Sequence, residues 1–282
     1  MSAPAAAGGW LPDGAFSAKA AGTTGAAFLK FPAGSRTAAM GGVSVAAAKG
    51  AEAQFHNPAL LARFEPESRR EAARDYSRLL ESAYAGSAGW ATPLGRSGAL
   101  GVGLVYAGQG AQTTYDAQGN SAGTFRSGDL ALGASYAHRA GRMWFGGGLK
   151  ILRQTLDDRS AAGAAVDLGL VAPSVSHLGD GPLDLGLSLV NLGPPVKLGP
   201  TADALPARAR AGANWRVNPV FDAALDLVLP ADAAPFVAIG FEGRLPAAKL
   251  GSSKDWSAAM RVGYDQSHGR DVEGIGGVTA GF

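Results

Sequence analysis

The sequence predicts an all-β protein: an antiparallel transmembrane β-barrel with about twelve strands in this chain and an N-terminal segment plugging its lumen. Three observations favour this fold class. From about residue 82 onward, apolar positions alternate with small or polar ones at the period of a β-strand. Glycine supplies 42 of the 282 residues, about twice the usual share. The segment 22–62 is a dense block of Gly, Ala and Ser with little charge.

The predicted strands follow one another through the second part of the chain. The clearest stripe has leucine at every second position from Leu183 to Leu189, with Asp184, Gly186 and Ser188 in between. Most such segments approach the roughly 9–11 residues that a tilted membrane strand needs. Comparable stripes begin at Leu100, Leu130, Phe145, Val166, Phe221, Val237 and Met260.

The face opposite these stripes decides between a membrane barrel and a soluble β-sandwich or barrel. A sandwich packs large side chains on its inner faces. Here the second face consists mostly of Gly, Ala, Ser and single charges, and small residues of this kind are depleted in ordinary sheets. We therefore favour the membrane barrel over the soluble alternative and expect the apolar face to contact lipid. The expected outer band includes Leu185, Leu187, Leu189, Val237, Ile239 and Phe241.

The chain divides into three predicted parts. Residues 1–21 are expected to be a flexible N-terminus, residues 22–64 a lumenal plug and residues 65–282 the barrel. The most charged stretch, Glu65–Leu79, is compatible with a helix or a strand, and we favour a first strand preceded by a turn. Short turns are predicted at 156–160 and 217–220, and longer links at 109–128 and 191–205.

Composition excludes several classes of function. The net charge is +2 and basic residues are scattered, which argues against nucleic-acid binding. The absence of cysteine excludes disulfides and thiolate metal sites. No signal peptide is visible at the start, although Ala18-Lys19-Ala20 resembles a cleavage site. We expect a location in the bacterial outer membrane, with outer-membrane lipid as a partner.

Opposite charges recur at matching positions of neighbouring predicted strands. If each hairpin is symmetric about its turn, directly opposed side chains lie close enough to interact. A charge that faces lipid would cost about 2–4 kcal/mol near the bilayer centre, so we expect these pairs in the lumen. The alternative is that they are solvated charges on an ordinary polar face. The predicted pairs are Lys150 with Asp167, Arg210 with Asp226, and Glu242 with Arg261.

The chain shows no pattern typical of catalysis. The glycine run 146–148 lies within a predicted strand and precedes no helix, which argues against a phosphate-binding loop. We therefore predict no enzyme activity, no cofactor and no metal. The histidines are widely dispersed, and no two have a metal-ligand spacing: they are His56, His138, His177 and His268.

The predicted plug contains a motif made by Arg36, Met40, Gly41 and the run Asn57-Pro58-Ala59. Together with short runs in the later strands, this motif resembles the N-terminal signature of the PorV/PorQ family, which is similar to FadL-type outer-membrane barrels. The likeness covers most of the chain. One departure is Leu60, where the family usually has glycine. The later runs are 148–150, 167–169, 191–193, 240–242 and 261–264.

The resemblance implies a 14-stranded barrel with its N-terminal segment inside the lumen. A C-terminal hairpin would then be missing here, or Phe282 is a terminal aromatic residue of the kind that outer-membrane barrels often have. For PorV-type members it implies a shuttle role in type IX secretion, with the translocon and secreted cargo proteins as partners. FadL-type relatives instead pass hydrophobic small molecules, which is the alternative function. A structural barrel without either role is a third hypothesis.

Overall fold

In the described part of the chain, twelve antiparallel strands form one sheet, in which each strand pairs with the next. This computed structural model describes residues 9–67, 69–246, 256–269 and 276–282. The number of strands agrees with the sequence prediction. The strands are β1 (Glu71–Arg78), β2 (Ala83–Leu94), β3 (Gly98–Tyr115), β4 (Ser121–Ala140), β5 (Met143–Leu156), β6 (Arg159–Leu178), β7 (Gly181–Leu192), β8 (Arg208–Asn218), β9 (Phe221–Pro230), β10 (Phe236–Pro246), β11 (Ser257–Asp265) and β12 (Val278–Gly281).

Helical structure is confined to short pieces. In the described residues there are two α-helical turns: α1 (Ser35–Ala39) precedes the sheet in sequence, and α2 (Gln266–Gly269) lies between β11 and β12. Among the described residues, no helix has the length and apolar character to cross a membrane. The 3₁₀ turns are Ala18–Ala20, Ala27–Lys30, Ala51–Phe55, Pro58–Arg63 and Leu80–Ser82.

The two ends of the sheet differ in their connections. One end, here called the turn end, has the two-residue turns 141–142, 179–180 and 219–220. The opposite end, here called the loop end, has the tight turn 157–158 but also the longest described link, 193–207. Outer-membrane barrels have short periplasmic turns and longer extracellular loops. Apart from 157–158, the described links at the loop end match the longer set, and the described turns at the turn end match the shorter set.

The outward face of the sheet is apolar. Leu149 and Ile151 on β5 are 69% and 65% exposed, whereas the inward-facing Asp184 on β7 is only 2% exposed. A barrel that exposes leucine and isoleucine while it buries aspartate has lipid outside and a polar interior. The predicted outer band is confirmed: Leu185, Leu187, Ile239 and Phe241 are exposed, and Leu189 and Val237 are half-buried on the same face.

The inward face is covered by residues 9–64, here called the interior segment. Its backbone touches the sheet at strand glycines, because a side chain there would occupy the space that the segment fills. A Cβ on Gly186 would lie 2.5 Å from the Val45 carbonyl oxygen, and one on Gly240 would lie 2.6 Å from that of Met40. The same overlap would arise at Gly146 with Ala59, at Gly169 with Asn57 and at Gly263 with Gly41.

The interior segment also links the two edge strands. Among the described residues, β1 and β12 share no backbone ladder. Gly34 donates its N–H to the Asp75 carboxylate on β1 at 2.8 Å, and Gly41 donates to the Thr279 hydroxyl on β12 at 2.9 Å. The gap between the edges, here called the seam, is thus spanned by the interior segment.

Two sequence expectations about β-structure differ in outcome. The charged stretch before residue 80 forms strand β1 after a turn at 66–67, as expected. The predicted long link at 109–128 is wrong: β3 continues to Tyr115 and β4 starts at Ser121, so only 116–120 connect them. The glycines of this stretch have weak strand preference, but its threonines favour strands, and pairing across the hairpin extends the ladder through both.

Substitution of Gly146 by Ala tests the contact between the interior segment and the sheet. The new methyl group would overlap the Ala59 backbone, and we expect a loss of about 1–3 kcal/mol in the free energy of unfolding. The matched control is Gly147→Ala, where the nearest atom is the Asp167 carbonyl oxygen at 3.9 Å. Urea unfolding in detergent measures both. Equal stability of the two variants would contradict the packing described.

Candidate functional site

The interior segment runs from the loop end of the lumen to the turn end. At the loop end the Phe16 N–H donates to Ala231, and Gly25 donates to Ala204 at 2.9 Å. Nearby, Asp232 accepts hydrogen bonds of 2.7 Å from both Thr24 and Lys30. Burial favours a higher pKa for Asp232, but these two donors outweigh it and the pKa lies below its ordinary value.

Asn57 fixes the segment at the turn half of the lumen. It begins the 3₁₀ turn at Pro58, and its side chain accepts a hydrogen bond of 3.1 Å from the Ala59 N–H. Its amide donates to the Val45 carbonyl at 2.7 Å and to the Leu187 carbonyl on β7 at 3.2 Å. One fully buried side chain thus joins two parts of the interior segment to the sheet. The motif residues Asn57, Pro58 and Ala59 lie together in this contact.

The other motif residues contact the strands near the seam. Arg36 donates to Glu242 at 2.8 Å and to the Ala47 carbonyl at 2.8 Å. Met40 is fully buried, and Gly41 has a φ of 69°, a conformation that glycine adopts without strain. A side chain at Gly41 would overlap the backbone of Tyr264 on β11, 2.6 Å from its nitrogen.

Glu242 on β10 lies at the centre of a charged cluster. Arg261 on β11 lies directly opposite in the strand register, with its Nε 2.7 Å from Oε2 of Glu242. Lys49 of the interior segment lies 3.3 Å from Oε1 of Glu242 and 2.6 Å from Asp222 on β9. Arg36 contacts the same carboxylate, so Glu242 holds both its neighbouring strand and the interior segment.

The other two predicted pairs also lie on the inward face, but their register differs. Lys150 pairs with Ala165 rather than with Asp167, yet its Nζ lies 2.9 Å from the Asp167 carboxylate. The prediction of directly opposed residues is wrong here, because the turn is centred one residue earlier than assumed. A long lysine side chain spans the two-residue offset along the strands.

Arg210 and Asp226 show the same offset. Arg210 pairs with Val228, and its guanidinium lies 3.7 Å from the Asp226 carboxylate. The prediction of direct opposition is wrong again, because the β8–β9 register is centred on position 219, one residue later than assumed. Asp226 mainly accepts from the backbone of the interior segment, at 2.8 Å from Ser44 and 3.1 Å from Val45.

Several ionic contacts of the interior segment have no counterpart in the sequence prediction. Arg63 binds Asp184 on β7 at 3.1 Å, in addition to the contacts of Lys30 and Lys49. Asp184 occupies a strand position on the small-residue face, like Asp167, so its inward direction could have been read from the alternation. Its partner Arg63 could not have been predicted, because hairpin symmetry finds pairs only between consecutive strands and Arg63 lies in the interior segment.

Two titratable groups of the interior segment have shifted pKa values. Burial lowers the pKa of His56 to about 3, and its Nε2 lies 2.7 Å from the Ala33 carbonyl oxygen. Burial also raises the pKa of Glu52 to about 7; Arg36 opposes this shift, while the carboxylates of Asp75 and Glu71 reinforce it. His56 is therefore neutral at pH 7, whereas Glu52 titrates near it.

The lumen is packed at the turn half and hollow at the loop half. Leu60 and Leu61 are fully buried at the turn half, among alanines of the segment and the sheet. At the loop half a cavity of about 880 Å³ lies between the segment and the sheet. Phe28, Val228 and Phe236 contribute to its mostly apolar wall. Its charged lining residues are Lys30, Asp129, Arg208, Arg210, Asp232 and Asp265.

A second cavity of about 440 Å³ adjoins the first near the seam. Phe31 and Pro32 line both cavities and separate them. On its other side the second cavity is lined by Asp75 and Tyr76 of β1. The second cavity therefore lies between the loop-half cavity and the edge of the sheet, not towards the turn end.

The fold is similar to that of several solved structures, two of which are toluene transporters. The toluene transporter TodX of Pseudomonas putida matches with a TM-score of 0.54 at 13% identity, over 83% of this chain and 83% of that chain. The toluene transporter TbuX of Ralstonia pickettii matches with a TM-score of 0.51 at 15% identity, over 82% and 85%. The chain has the all-β barrel fold of these two transporters.

No family profile and no curated protein sequence matches the chain.

Substitution of Glu242 by Gln tests the charged cluster. The change leaves Arg36, Lys49 and Arg261 close together without their shared carboxylate, and we expect a loss of about 3–5 kcal/mol in the free energy of unfolding. Asp158→Asn in an exposed turn is the control and should change stability by less than about 0.5 kcal/mol. Urea unfolding in detergent measures both, and a similar small effect at Glu242 would contradict the role described.

Substitution of Glu52 by Gln tests the pKa shift. Because the folded pKa of Glu52 lies above its ordinary value of 4.5, its contribution to stability is lost as pH rises from 4.5 to about 7. The variant should therefore gain stability relative to the wild type across this window, with little difference below it. Urea unfolding at pH 4.5 to 8 measures the difference. The exposed control Glu67→Gln should show no such trend.

Proposed function

We propose that this protein is an outer-membrane channel that passes hydrophobic small molecules in the manner of FadL-type barrels. The observation that carries the proposal is the mostly apolar cavity of about 880 Å³ at the loop half of the lumen. Such a volume suits a small ligand, since typical ligand pockets measure about 300–1,000 Å³. The two toluene transporters of the same fold support this class of solute.

The packing of the interior segment indicates the direction of passage. The turn half of the lumen is filled by fully buried residues such as Asn57, Leu60 and Leu61. The second cavity instead extends from Phe31 and Pro32 towards β1 at the seam. A solute in the first cavity therefore has a shorter route to the side of the barrel than to the turn end.

The PorV-type function of binding and handing over secreted cargo has less support. Neither of the two transporters described above is a secretion protein, and no family profile matches the chain. The motif of Arg36, Met40, Gly41 and Asn57-Pro58-Ala59 has a packing role against the sheet that either function accommodates. We therefore favour the small-molecule channel, which requires no enzyme activity and no cofactor.

Substitution of Ala107 by Trp tests the channel. Ala107 lines the cavity from β3, so the indole should fill part of it and lower uptake to near the rate of cells that lack the protein. The probe is N-phenyl-1-naphthylamine, a neutral hydrophobic dye that fluoresces in lipid. The control Ala134→Trp adds the same side chain to the exposed outer face of β4 and should leave uptake unchanged. Equal uptake by wild type and Ala107→Trp would contradict the proposal.

A further inference from the structure

Strand β1 separates its charges between its two faces. Glu71 and Asp75 point inwards, where they accept backbone N–H groups of Ala51 at 3.0 Å and Gly34 at 2.8 Å. Successive residues of a strand point to opposite faces, so the arginines at positions 74 and 78 point outwards. The inner carboxylates thus have partners in the interior segment, whereas the arginines face the membrane side.

Arg74 lies within the apolar band of the barrel. It pairs with Ala88 on β2, which pairs with Leu104 on β3, and this residue pairs in turn with Leu132 on β4. Leu132 is exposed on the outward face. An arginine on the lipid face costs about 2–4 kcal/mol at the bilayer midplane and less towards the interface. Such a residue needs an anionic partner or a path for its side chain to reach one.

The chain itself supplies no such partner among its described residues. No carboxylate of the described part lies within ion-pair distance of Arg74 or Arg78, and both side chains are exposed. Arg78 lies four residues nearer the loop end than Arg74. The two arginines therefore form a column along the outward face of β1, from the apolar band to the loop end of the barrel.

An apolar groove of about 530 Å³ lies at the lower end of this column, beside Arg74 and towards the turn end. Arg74 lines its upper edge, and the outward-facing Ala72, Ala88, Trp90 and Leu104 line its walls. Alanine at two adjacent strand positions leaves room that larger residues of the band would fill. The groove thus has cations above it and an apolar floor below.

We propose that the outer face of β1 and β2 binds an anionic, phosphate-bearing lipid of the loop-side leaflet. Its phosphate contacts Arg74 and Arg78, and one acyl chain lies in the groove beside Trp90. The arrangement fits a lipid of this leaflet because its head group lies towards the loop end and its chains run towards the membrane centre. A neutral lipid would leave the two guanidinium groups without a charge partner.

The position of Trp90 in the groove gives a direct assay. The full chain is reconstituted in phosphatidylcholine bilayers that contain brominated lipid, which quenches nearby indole fluorescence. The signal of Trp90 is the difference between the wild type and Trp90→Phe, since the chain has five tryptophans. Brominated phosphatidylglycerol is compared with brominated phosphatidylcholine. We expect a preference of about 30-fold for the anionic lipid, as two arginines would give.

The preference should fall to about one in the double variant Arg74→Gln/Arg78→Gln. The matched control is Arg153→Gln, an exposed arginine on the outward face of β5 that does not line the groove. Ala88→Leu fills the groove with both arginines intact and should also lower the preference. Heat-modifiable migration on gels shows whether each variant is folded. If the double variant does not fold, Ala88→Leu tests the proposal instead.

Four results would overturn the proposal. The first is equal quenching of Trp90 by the two lipids in the wild type. The second is a preference for the anionic lipid that is unchanged in both the double variant and Ala88→Leu. The control Arg153→Gln could reduce the preference as much as the double variant does, which would indicate unspecific attraction. Sedimentation in detergent could also show a dimer that the double variant abolishes, which would assign the face to a second copy of the chain.

Discussion

The close contact between the backbone of the interior segment and the strand glycines is the constraint on which the rest of the structure depends. At Gly146, Gly169 and Gly263 the segment lies directly on the sheet, with no room for a side chain. Close packing of this kind brings the dipoles of the segment within hydrogen-bond distance of strand carbonyls and carboxylates. The high glycine content of the chain thus follows in part from a lumen filled by polypeptide.

Charge placement follows from the same contact. Carboxylates on the inward face, such as Asp184, Asp226 and Glu242, are each nearly fully buried and contact N–H groups or cations of the interior segment. Burial of a charge is tolerated only when partners compensate for the lost hydration. The buried carboxylates therefore make the barrel wall depend on the segment, because its removal would leave them without these partners.

The difference between the two halves of the lumen connects packing with the proposed function. The turn half contains leucines and alanines packed against each other, and Asn57 ties this part to β6 and β7. The loop half retains a cavity, because the segment there is held mainly at its ends, through Asp232 and through the contacts near Gly34. A solute site is therefore available where the segment is least packed.

The sequence by itself determined the fold class, the strand count and the outward and inward faces of the strands, because the period of two is recorded in adjacent residues. It also identified Glu242 and Arg261 as direct neighbours, since both lie on one hairpin. Tertiary structure alone decided the ion pairs of Arg36, Lys49 and Arg63, whose carboxylate partners lie 121 or more positions away in the chain. It also decided the two-residue offsets of Lys150 and Arg210, which depend on turn geometry that hairpin symmetry does not specify.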